Sequence, residues 1–282
     1  MEGTARQNRA QDQKRVRRAV IWNPRRGAGL VSIARRPDSY NCPLNSSIHV
    51  VHFALDEPQD DGALFELLDR NEQFRARQIS NDLARRRFET AHGLTRIVLG
   101  HWLGVPAGTI AFNGARGGKP TVAAATDLRF NLSHSGAHAV LALAHALETG
   151  VDIERVRPID VLGVARRFLA PGEADALAAM SGDCQSRAFF RCWTRKESYV
   201  KARGDGFACP FNQFEVSLDE SSARLIETAG DTDDRCRWTI TDVATAPGYA
   251  AALTAEGSGW SLQHWVCSPS RELHPYRPAT AS

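Results

Sequence analysis

The sequence predicts an α+β fold in two halves, residues 46–148 and 149–282, and two observations predict it. Two long stretches carry helical periodicity, Ser80–Leu103 and Phe189–Gly204. Each is followed by a group of short strand-like runs: Thr109–Phe112, Leu128–Leu132 and Ala139–His145 after the first, then Phe214–Leu218, Trp238–Val243, Tyr249–Leu253 and Ser261–Val266 after the second. A chain of 282 residues has room for one large domain or two small ones with an ample core. The literal repeat between the halves is too faint to establish duplication.

Taken in order, Ser47–Leu55 reads as the opening strand and Gly62–Leu68 as a short helix. Asp82 is placed to cap the long helix that follows, and Gly104 to end it. Its polar face carries Arg85, Arg86, Arg87 and Arg96, either a solvated face or a set of partners for a polyanion. Gly114–Pro120 is a glycine-rich loop without the spacing of a Walker loop. In the second half Asp160–Leu169 and Gly172–Met180 read as helices separated by Pro171, and His274–Pro278 reads as loop.

Composition bounds the class. The 43% hydrophobic content is ordinary for a globular chain, and no run approaches the ~18 apolar residues of a membrane span. The N-terminus is polar and lacks the apolar region of a signal peptide. The six cysteines keep no metal-site spacing and read as reduced thiols of a cytoplasmic protein, with Cys192 packed in a core. The net charge of +3 is concentrated in residues 1–45, where ten Lys and Arg face three acids, a balance of +7 that leaves −4 for the rest. That basic tail reads as a disordered, solvated extension, so the charge gives no case for nucleic-acid binding.

Three stretches carry chemistry. In Trp193-Thr194-Arg195-Lys196-Glu197-Ser198-Tyr199-Val200-Lys201, Glu197 and Lys201 share a helix face. Alone they make an ordinary surface ion pair. In Gly150-Val151-Asp152-Ile153-Glu154, the two carboxylates point the same way from a strand. They are either solvated at a sheet edge or share a cation, with Glu197 as the third oxygen ligand of a hard, Mg2+-type site. In Phe130-Asn131-Leu132-Ser133-His134-Ser135-Gly136, a tight turn between two strands would present Ser133 and His134 either to their own backbone or to a phosphate.

Together, in this order and with Gly118-Lys119-Pro120 ahead of them, these stretches resemble the broad-specificity, surfactin-synthetase-type 4'-phosphopantetheinyl transferases over roughly Ile48–Leu218. The resemblance implies a pseudo-dimer of two α/β half-domains with the active site in the cleft between them, working as a monomer. It implies transfer of 4'-phosphopantetheine from coenzyme A to a serine of an apo acyl or peptidyl carrier protein. It implies Mg2+ on Asp152, Glu154 and Glu197, and Glu197 and Lys201 as the catalytic pair. Coenzyme A would meet Arg87, Arg96, Lys119, Pro120, Ser133, His134, Lys196 and Lys201, with the arginines at the 3'-phosphate and the Gly-Lys-Pro backbone at the adenine. No membrane or nucleic-acid partner is expected.

Rival readings are a serine hydrolase, which lacks a nucleophile elbow, and a non-catalytic module that binds coenzyme A or carrier protein. All three carboxylates are present, which disfavours the second.

Overall fold

The computed structural model describes residues 47–57, 61–114, 118–124, 126–204, 209–228 and 234–276. The basic tail expected over residues 1–45 lies outside them, as does the centre of the glycine-rich loop. The mixed α/β architecture follows one order twice. In the first half, strand β1 (Ser47–Ala54) leads into helices α1 (Asp61–Leu67), α2 (Arg70–Gln78) and α3 (Asp82–Leu103). A small ribbon follows, β2 (Phe112–Asn113) with β3 (Thr121–Val122), and then the hairpin β4 (Leu128–Ser135) and β5 (His138–His145). In the second half, β6 (Thr149–Arg155) leads into α4 (Val161–Phe168), α5 (Pro171–Ala178) and α6 (Gly182–Arg203). The ribbon here is β7 (Phe214–Val216) with β8 (Leu225–Thr228). After the short α7 (Asp234–Arg237) come β9 (Trp238–Asp242) and β10 (Tyr249–Glu256).

Pairing repeats as well. β1 lies antiparallel to β5, which pairs β4; β6 lies antiparallel to β10, which pairs β9. The boundary at 148/149 is crossed by the last two strands, however. β11 (Ser261–Cys267) runs parallel to β1, and β12 (Leu273–Pro275), which overlaps the start of the stretch His274–Pro278 read as loop, pairs β11, giving a five-stranded sheet β12-β11-β1-β5-β4 beside the three-stranded β6-β10-β9.

The two sheets share a core. Ile48, Val50, Val140 and Ala142 pack with Val151, Ile153, Ala251 and Leu253. Because side chains alternate along a strand, the opposite face of β6 presents Gly150, Asp152 and Glu154 to α6. A Cβ at Gly150 would run into the backbone of Ser198, Lys201 and Ala202, so glycine there lets the helix lie directly on the strand.

Local signals explain the ends. Asn81 caps α3 by accepting from Ala84 N at 2.9 Å, one residue before the expected cap, and Gly104 ends it in the left-handed region. The helix α6 begins at Gly182, seven residues before the expected start. Helix α2 has no apolar stripe for periodicity to find. Its signature is the capping box of Asp69 with Glu72, both reciprocal hydrogen bonds being present.

Candidate active site

Ser133 and His134 belong to strand β4, and the turn is Gly136–Ala137. On the strand, Asn131, Ser133 and Ser135 point one way, to the free edge of β6, while His134 points the other way and is exposed. Val151 N donates to Asn131 Oδ1 at 2.9 Å, Ile153 N to Ser133 Oγ at 3.4 Å, and Arg155 N to Ser135 Oγ at 3.1 Å. Side chains of one sheet thus complete the edge of the other.

Opposite them stands α6. Lys201 Nζ donates to Asp152 Oδ1 at 2.6 Å and Ser133 Oγ at 3.1 Å. Ser133 Oγ donates to Asp152 Oδ1 at 2.7 Å and Ser135 Oγ to Glu154 Oε2 at 2.7 Å. Asp152 is 4% exposed, and its Oδ2 is buried without a partner. Burial first, and then the charges of Asp152 and Glu154, push the Glu197 carboxyl above its ordinary range, with Lys201 opposing them. The three carboxylates therefore share one electrostatic neighbourhood, although among the described residues no three His, Cys, Asp or Glu side chains stand gathered as a closed ligand set. A surplus of carboxylate charge and an orphaned buried oxygen fit a hard divalent cation. Desolvation by the surrounding protein first, and then the nearby charges of Lys201 and Arg75, lower the His134 pKa to about 4, and those two cations make that flank suited to an anion.

Two expected ligand contacts are corrected by burial. Arg96 is 1% exposed and spends its guanidinium inside the protein. It donates to Glu72 Oε2 at 2.7 Å, Asp69 Oδ2 at 2.7 Å and Ile110 O, and lies over the ring of Phe112. Lys196 is fully buried. Its Nζ donates to Phe211 O at 2.7 Å and Phe214 O, and pairs with Glu173 at 2.8 Å. Neither side chain reaches a surface that coenzyme A could touch. Arg87 is open at the surface, paired with Asp56 at 2.7 and 2.6 Å. Lys119 reaches Glu148 at 2.7 Å and Ala202 O at 3.3 Å, tying its loop to the end of α6 with Pro120 half-buried beside it. Burial lowers the Lys119 pKa despite Glu148.

Motif reading missed Ser135, which contacts Glu154 directly, and Arg195, which locks α6 to Asp242 at 2.8 and 2.6 Å. The signal for Ser135 was its period-two spacing from Ser133.

The 4'-phosphopantetheinyl transferase superfamily model matches residues 148–254, which span β6, α6 and most of the site. The 4'-phosphopantetheinyl transferase HetI of Nostoc sp. is 32% identical over 227 residues, covering 79% of this chain and 93% of that protein. The chain belongs to the 4'-phosphopantetheinyl transferases. This transferase is also 33% identical over 162 residues to the 4'-phosphopantetheinyl transferase Sfp of Bacillus subtilis, covering 57% of the chain and 70% of Sfp. It is 46% identical over 88 residues to AcpT of Salmonella typhi, covering 31% of the chain and 46% of AcpT. No described helix is long and apolar enough to cross a membrane.

Proposed function

We propose that the chain transfers the 4'-phosphopantetheine group of coenzyme A to a serine hydroxyl of an apo carrier protein, releasing adenosine 3',5'-bisphosphate. The observation that carries this reading is the meeting of three separated motifs, where Lys201 of α6 bonds both Asp152 of β6 and Ser133 of β4. The matched strand order of the two halves supports a pseudo-dimer with the site in the cleft between them.

Asp152, Glu154 and Glu197 are the residues to hold Mg2+. When bound, the cation neutralises the diphosphate and stabilises charge on the leaving group. The protein's own groups do the rest. The Glu197 carboxylate, whose pKa burial raises so that it binds a proton more readily, takes the proton of the carrier serine, directly or through a water, as the serine oxygen bonds to phosphorus. The bond from that phosphorus to the bridging oxygen of adenosine bisphosphate breaks, and Lys201 offsets the charge left there. His134 and Arg87 hold phosphate oxygens. Lys119 sits near them, and the backbone at Pro120 frames the adenine. Such a cleft would be assembled within one chain, which supports a monomer.

The test is intact-mass measurement of a panel of apo-carriers incubated with the protein, coenzyme A and Mg2+. The expected result is a phosphopantetheine-sized gain, abolished by EDTA and by Glu197→Gln. No gain on any carrier, with coenzyme A binding verified separately, would make this a binding module instead.

A further inference from the structure

Strand β6 is paired to β10 along one edge only. Its other edge is satisfied by Asn131, Ser133 and Ser135, one acceptor for each of three alternate N–H groups. We propose that Ser135, with Ser133, is a positioning residue for the cation: each hydroxyl caps one N–H of β6 and, with the proton left over, orients one of the carboxylates that β6 carries.

The direction of these hydrogen bonds is forced. A backbone N–H can only donate, so both serine oxygens accept at 3.4 and 3.1 Å. Each hydroxyl keeps one proton, and a carboxylate can only accept it. Ser133 gives its proton to Asp152 Oδ1, and Ser135 gives its proton to Glu154 Oε2, each at 2.7 Å. The period of two on β4 (131, 133, 135) matches the period of two on β6 (151, 153, 155), with the carboxylates at 152 and 154 interleaved. Asn131 does the first job without the second, because its Oδ1 has no proton to pass on. Tying one oxygen of Asp152 leaves the other, Oδ2, unpartnered and buried. At Glu154 the same oxygen that Ser135 holds also meets Arg157 at 3.5 Å. Serine contact with the carboxylates is charge-assisted and fixes the rotamers that bare aspartate and glutamate would otherwise sample.

This rests on the reading that Asp152, Glu154 and Glu197 hold the cation, and the experiment separates the two. Mn2+ alone is titrated into the full-length protein and its affinity read by electron paramagnetic resonance, with the melting temperature recorded for each variant. Ser135→Ala is expected to weaken Mn2+ about tenfold or more, the usual cost of losing a group that orients a ligand. Ser135→Thr, which keeps the hydroxyl on a strand-compatible side chain, is expected to restore affinity to within about twofold. Asn131→Ala is expected to lower the melting temperature and leave Mn2+ affinity as in the wild type. Wild-type affinity in Ser135→Ala, alongside a loss in Asp152→Ala, overturns this inference while the metal site stands. An equal loss of affinity in Asn131→Ala also overturns it, since edge capping alone would then explain the effect. No Mn2+ binding by the wild type overturns both.

Discussion

Helices α3 and α6 are each 22 residues long, each ends on a glycine in the left-handed region, and each carries a Thr-Arg pair whose arginine is buried. Arg96 ties α3 to Asp69, Glu72 and the carbonyl of Ile110. Arg195 ties α6 to Asp242 and to the carbonyls of Ser217 and Asp219. With these arginines aligned, Lys196, Glu197 and Lys201 of α6 correspond to Ile97, Val98 and Trp102 of α3. The buried lock is used twice, whereas the ionisable groups facing a strand occur once. The strands under the helices differ in the same sense. β1 has backbone partners on both edges, β11 and β5, but β6 has β10 on one edge and side chains on the other. A strand completed by side chains leaves hydroxyl protons available to organise charge, which a strand completed by backbone does not.

The comparison breaks first at Glu197. Glu197→Gln is expected to lower the rate of carrier modification on the order of 1000-fold, the scale of a lost acid–base group, with the fold retained by circular dichroism. At the corresponding position of the first half, Val98→Ala should cost on the order of 2 kcal/mol in urea unfolding and leave turnover per folded molecule within about twofold. A large loss of turnover in Val98→Ala would show that the halves are not so divided.

The locks come next. Arg96→Ala and Arg195→Ala each strand buried acceptors and should each cost about 3–5 kcal/mol in denaturant unfolding. Similar costs would support equivalent locks. A cost at Arg195 alone would make the likeness of the helices superficial.

This division also explains what the sequence made legible. Both long helices, β1, β4–β6 and β9–β11 were readable, because an apolar stripe or alternation marks each. That Asp152 and Glu154 share one face of a strand, and Glu197 and Lys201 one face of a helix, was readable from the strand and helix periods. Arg96 and Lys196 were misread because charge in a motif looks the same whether it meets a ligand or a buried acid; only the packing of each long helix against Glu72 or Glu173 of the helix before it decides it. The parallel pairing of β11 with β1 joins residues more than two hundred positions apart, and local pattern holds no trace of it. The N-x-S-x-S run suggested a turn because serine and asparagine favour turns, yet here their side chains serve as the edge of a neighbouring strand.

A smaller effect follows from the raised pKa of Glu197, which only the second half possesses. The folded, metal-free protein holds that proton more tightly than the unfolded chain does. Stability therefore falls as pH rises from the ordinary glutamate value of 4.5 through the raised one. Glu197→Gln should remove that slope, seen as melting temperature against pH. A cation held by Glu197 would have to displace the same proton, so on that reading Mg2+ affinity should weaken as pH falls below the raised pKa, by at most about tenfold per pH unit for one proton. An affinity flat across this window would remove Glu197 from the ligand set.

The smallest stability effect is expected at Arg87, and it separates the two α3 arginines expected at coenzyme A, Arg87 and Arg96. The Arg87–Asp56 pair is open to solvent, with side chains 23% and 43% exposed, so Arg87→Ala should change stability by no more than about 1 kcal/mol. Its guanidinium is nonetheless the one of the two that a phosphate can reach. Arg87→Ala should raise the KM for coenzyme A several-fold. Asp56→Ala, which frees the same guanidinium, should leave KM unchanged or lower it. Arg96→Lys keeps a charge in the buried lock and should cost stability without a selective change in KM. If Arg96→Lys raises the KM for coenzyme A more than Arg87→Ala does, the buried arginine senses the ligand after all, and the separation between a lock and a binding residue on α3 fails.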